Sequence, residues 1–159
     1  MGGCMNLAPL HPLFVHIPIA LAVLMPMISV GLLVAWWRGV LPRRVWWIAV
    51  ALQAVLVASG VAALRSGEAD ESRAETVVPE SAIEAHEEAA EVFVIGSIGV
   101  LVIALAAGTV RTPRTAQALA ALAAVGTLAV TGLGYRTGRA GGRLVYEHGA
   151  AAAYAEGAR

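Results

Sequence analysis

Residues 13–37, LFVHIPIALAVLMPMISVGLLVAWW, contain no ionisable side chain other than His16. At 1.5 Å per residue the stretch makes about 37 Å of helix, enough to cross a hydrocarbon core of about 30 Å with tilt. It is too long for a signal-peptide core and no Lys or Arg precedes it, so it reads as a retained first span. Three further apolar runs follow: residues 45–64; residues 86–110, charge-free over 92–110; and residues 115–135, built mostly of Ala, Gly, Leu and Val. Small residues that let helices approach closely crowd the third and fourth runs. The expected fold is all-α: a single four-span integral membrane domain over residues 1–159, packed as a four-helix bundle, with an acidic loop at 65–81 and a short interfacial helix after Gly142.

Composition agrees. The 159 residues are 58% hydrophobic and 14% charged, against about 25% charged in an ordinary soluble domain. Mean hydropathy is +0.74. Eleven acids balance eleven arginines and there is no lysine, so no basic face exists for nucleic acid. The single cysteine, Cys4, excludes an intrachain disulfide and any Cys-based zinc or iron–sulfur site.

Short loops bearing Arg38, Arg43 and Arg44, and Arg111 and Arg114, join spans one to two and three to four. They read as cytoplasmic, with Trp36, Trp37, Trp46 and Trp47 at the same interface. Both termini are therefore expected on the periplasmic or extracellular side of a bacterial inner membrane, opposed only by Arg136, Arg139 and Arg143. Lipid is the surrounding partner.

This topology delivers His11, His16, His86 and His148 to one membrane face, from three separate chain segments. Any one of them reads equally well as an interfacial histidine. Helical phase separates Glu84, Glu87, Glu88 and Glu91, expected on the wet face, from His86, which shares a face with Ala82, Ala89, Ala90, Phe93 and Ser97. His16 lies above Ala20, Val23, Met27 and Gly31, in a helix whose Pro18 and Pro26 bend it or release a carbonyl.

Two imidazoles at matched depth, small apolar walls and nearby cations suit a haem b. The expected ligands are His16 and His86, with His11 and His148 as a second pair for a second haem or as supporting groups. Arg136, Arg139 and Arg143 are placed for propionates, and equally for lipid phosphates. No Asp, Glu or Arg lies deep in a span, against an ion or proton relay. No hydrolase or nucleotide motif stands out. Two other readings remain open: a non-catalytic anchor or accessory subunit of a larger redox complex, and a copper or iron site built from the histidines with Glu147 or Met residues.

HPLFVHIPIAL at residues 11–21, His86, and GGRLVYEHG at 141–149 together resemble the bacterial membrane family called domain of unknown function 2231. The resemblance covers nearly the whole chain, with His11, His16, His86, Gly141, Gly142, Tyr146, His148 and Gly149 on matching positions and Ile17 where the family often has an aromatic. It implies a four-helix membrane protein. Fusions of some members to Rieske or cytochrome c domains, and a general likeness to small b-type cytochromes, favour electron transfer with a redox partner or quinone over an enzyme with its own substrate.

Overall fold

The computed structural model describes residues 15–150, apart from the side chains of 69–73. His11, Cys4 and Tyr154 lie outside the described residues. Four helices account for almost all of the rest: α1 (His16–Trp37), α2 (Trp46–Ala74), α3 (Glu80–Thr109) and α4 (Pro113–Tyr146). All four are long and apolar enough to cross a membrane. Each helix packs against its two neighbours in the order α1, α2, α3, α4 and back to α1. The chain reverses through Gly39, whose φ of 71° suits the residue after a helix end, then through a 3-10 turn at Arg43–Val45, and finally through tight turns at 75–79 and 110–112.

The helices are unequal. At 22, 29, 30 and 34 residues they measure about 33, 44, 45 and 51 Å, so α2, α3 and α4 outrun a hydrocarbon core of about 30 Å. The arginine loops and tryptophans mark one end. The surplus length lies at the other, where His16, His86 and His148 sit.

Two expectations are corrected by this surplus. The acidic stretch is not a loop throughout, because α2 continues to Ala74 and only 75–79 turns. Arg, Glu and Ala are strong helix formers, and no proline intervenes before Pro79. The fourth span does not stop near residue 135 before a separate interfacial helix. Instead α4 runs unbroken to Tyr146 through Gly138, Gly141 and Gly142. Packing against α3 outweighs the cost of those glycines, about 1 kcal/mol each relative to alanine.

The core is built of small side chains, with Ala104, Ala107, Ala116, Ala120, Ala123 and Ala124 buried among Trp46, Leu56 and Phe93. The buried Gln53, Ser97, Ser29 and Thr127 side chains each donate to a backbone carbonyl. Gln53 Nε2 donates to the Ser97 carbonyl at 3.0 Å, and Ser97 Oγ donates to Phe93 at 2.7 Å. Ser29 Oγ meets Thr127 Oγ1 at 3.4 Å between α1 and α4.

The arginine end is locked. Arg43 Nη2 donates to the carbonyls of Ala107 at 2.9 Å and Gly108 at 3.0 Å, and also to Val110, closing the unsatisfied C-terminus of α3. Its guanidinium stands 5.9 Å from the Trp36 ring centroid. Trp46, fully buried, donates from Nε1 to Ala104 at 3.0 Å.

Candidate functional site: a cavity at the histidine end

The antiparallel seam of α3 and α4 places the site. Gly134, Thr137 and Gly141 recur at helical spacing and face Phe93, Ala89 and His86 in turn. A Cβ at Gly134 would stand 3.3 Å from the Phe93 ring, and one at Gly141 would stand 3.0 Å from His86 Cε1. Glycine therefore lets both rings lie flat on α4. Thr137 stitches the seam twice: its hydroxyl donates to the Ala89 carbonyl at 2.8 Å, and its own carbonyl meets His86 Nδ1 at 3.2 Å. A carbonyl only accepts, so Nδ1 carries the proton in this contact. Tethering Nδ1 in this way is how ligating histidines are oriented.

His86 is half-buried in the wall of an open cavity of about 890 Å³ lined by all four helices. The deep part is apolar, with Ala22, Gly60, Ala63, Phe93 and Val94. Among the described residues, Glu68, Glu87 and Arg139 are the charged side chains that line the cavity. Counting along α3 from Thr109, Phe93 lies about 24 Å up the helix and His86 about 35 Å. The cavity thus lies in the half of the bundle away from the arginine end.

The other histidines go elsewhere. His16 is the first residue of α1 as described, and it is exposed. Its neighbours Val15, Pro18 and Ile19 line the cavity while its own ring does not. His148 follows α4 in a turn and borders a separate pocket of about 270 Å³ with Pro79, Ser81 and Arg143. His86 is thus the one described histidine that lines the large cavity, and the described residues hold no group of three His, Cys, Asp or Glu side chains suited to a metal ion. The arginines also divide. Arg139 lines the cavity, Arg143 pairs with Glu147 at 2.9 Å, and Arg136 lines neither pocket.

Helical phase placed His86 on the inward face with Ala89, Phe93 and Ser97, and all three of those are buried. Glu84, Glu88 and Glu91 are exposed as expected, but Glu87 is half-buried at the cavity rim. Thr137, Gly134 and Gly138 were not anticipated. Their signal was the glycine recurrence in GLGYRTGRAGG, residues 132–142, which as a bare sequence equally marks a helix ending.

A family model described as "Predicted membrane protein (DUF2231)" matches residues 7–153. No curated protein and no solved structure matches the chain.

Proposed function

The chain belongs to the predicted membrane protein family DUF2231, and from that premise we propose that it serves electron transfer as a membrane subunit whose histidine-end cavity binds a lipid-soluble redox cofactor. The observation that carries this reading is His86, a half-buried imidazole with its Nδ1 proton tied to the Thr137 carbonyl, its ring seated on Gly141, and its position at the polar end of an otherwise apolar cavity. Such a pocket, with one oriented polar group and apolar walls, is the usual form of a cofactor site.

Haem b is one cofactor this chemistry admits. His86 would hold it through its imidazole, with the Gly134–Phe93 seam as a wall and Arg139 beside it. When bound, a haem supplies one-electron storage. Among the described residues that cavity offers a single imidazole, so His86, and not His16, would be the histidine that holds a haem there. An accessory role in a larger redox complex is compatible with the same site.

The test is cofactor content. Protein purified from haem-replete membranes should give a reduced-minus-oxidised difference spectrum, or yield a redox-active lipid on solvent extraction, and His86→Ala should lose most of it. Wild-type protein that folds and carries neither would remove the proposal.

A further inference from the structure

From the separation of charge along the bundle we infer that the arginine end is a binding face for anionic phospholipid headgroups, independent of the cavity at the other end.

The fold brings the arginines together. The connection at 38–45 carries Arg38, Arg43 and Arg44, and the turn at 110–112 with the start of α4 carries Arg111 and Arg114. Arg43 pins the two connections to each other: its Nη2 reaches the carbonyls of Ala107, Gly108 and Val110, and Arg111 follows Val110 directly. Arg43 is thereby committed to the protein. Arg38, Arg44, Arg111 and Arg114 are exposed and, among the described residues, form no ion pair.

No acid is near enough to neutralise them. Every Asp and Glu of the sequence falls outside residues 1–67 and 92–146. Glu68 stands about 33 Å along α2 from Trp46, with Asp70 and Glu71 farther along the same helix, and Glu91 stands about 27 Å along α3 from Thr109. Glu147 follows the opposite end of α4. Glu156 follows Tyr146 by at most about 36 Å of extended chain, short of the roughly 51 Å that α4 covers back to Pro113. A Debye length of about 8 Å at physiological salt leaves charges so distant without effect on this face. The backbone supplies no compensating negative end either. Arg43 takes the last carbonyls of α3, and the N–H groups of Arg38, Gly39, Val40 and Leu41 take those of α1.

The surroundings select the kind of anion. In the same stretch Trp37 is 72% exposed, Val40 73% and Trp47 45%. A short connection between two membrane-crossing helices lies at the headgroup boundary, where indoles are at home. Guanidinium groups there meet lipid phosphates while the indoles meet the acyl chains below. A soluble anion or an acidic protein segment matches the charge and leaves the apolar half of the face unmet.

The chain's tryptophans, Trp36, Trp37, Trp46 and Trp47, all stand at this end, so their fluorescence reports on it alone. The test reconstitutes the full chain in phosphatidylcholine vesicles containing dibrominated phosphatidylglycerol, with dibrominated phosphatidylcholine as the reference. Half-maximal quenching is expected at about one-tenth the mole fraction for phosphatidylglycerol, the scale of one or two arginines acting on an anionic headgroup, and about 0.5 M NaCl should erase most of that preference. Arg44→Gln with Arg111→Gln should reduce it to roughly twofold, whereas Arg44→Lys with Arg111→Lys should keep most of it because the charge remains. Thermal unfolding in an uncharged detergent checks that both pairs fold as the native chain does.

Equal quenching by the two lipids at low salt in the native chain would overturn the inference, and so would a preference that the glutamine pair leaves intact. A preference abolished by millimolar inorganic phosphate or by polyglutamate would equally overturn it, by showing that the face reads a free anion or an acidic chain and not a lipid.

Discussion

The hydroxyl of Thr131 in α4 donates at 2.6 Å to the carbonyl of Ala22 in α1. That carbonyl lies four residues before Pro26, whose missing N–H leaves it without a helical partner. A proline inside a membrane span is thus repaired by a neighbouring helix, and the repair joins α1 to α4 at the cavity floor. The two residues should be energetically coupled. Thr131→Val should cost about 1 kcal/mol in the native background and markedly less with Pro26→Ala, which restores the backbone donor. A double-mutant cycle read by unfolding in mild detergent or bicelles measures the coupling; strict additivity would show that the bond does not depend on the proline.

Gly141 sets how His86 sits. Adding one methyl group places it 3.0 Å from Cε1 of the ring, tighter than ordinary contact. Gly141→Ala should keep the fold, since alanine favours helix, while shifting the imidazole by a few tenths of an ångström. Cofactor affinity should fall several-fold in Gly141→Ala and further in Gly141→Val, as measured by titration of stripped protein. Unchanged affinity in both would mean that the ring's present position is irrelevant to binding.

Arg43 reads in sequence as a topology marker and in structure as the clasp on α3. Removing it leaves the carbonyls of Ala107, Gly108 and Val110 without their guanidinium donor. Arg43→Ala should therefore destabilise the bundle by about 2–3 kcal/mol, the range for a charged donor on several acceptors, and Arg43→Lys by roughly half of that. Thermal unfolding in detergent is the measurement. Cofactor binding at the opposite end should persist in whatever fraction stays folded.

Gln53 shows the opposite economy. Its Nε2 is bonded to Ser97, but its buried Oε1 has no hydrogen-bond partner. Gln53→Leu, close in volume and free of that orphan, should change stability by no more than about 1 kcal/mol, whereas Gln53→Ala should cost about 2 kcal/mol or more through the void it leaves. Comparing the two unfolding curves separates the polar contribution from the packing one.

The spans were legible because each has a long charge-free run, which water-soluble folds do not supply. Helix ends were less so. Glu68 to Ala74 and Gly138 to Gly142 look like a loop and a helix ending, because charge and glycine report local preference, whereas α2 runs on to Ala74 and α4 to Tyr146. The inward phase of His86 could be read from a 100° wheel, since its neighbours Ala89, Phe93 and Ser97 form one apolar line. Convergence of the histidines could not. Membership of one membrane face says nothing about direction around the bundle axis, and His16 at a helix start and His148 in a turn have no helical phase to constrain them. The Arg43 clasp was invisible for a similar reason: its partners lie more than sixty positions away in sequence.

An experimental density map of the full chain in native-lipid nanodiscs decides the matter most directly. Flat density should lie in the cavity beside Phe93, with its polar end at the His86 ring. A cavity closed over by protein side chains, with the imidazole turned away from it, would contradict a cofactor site at this end of the bundle.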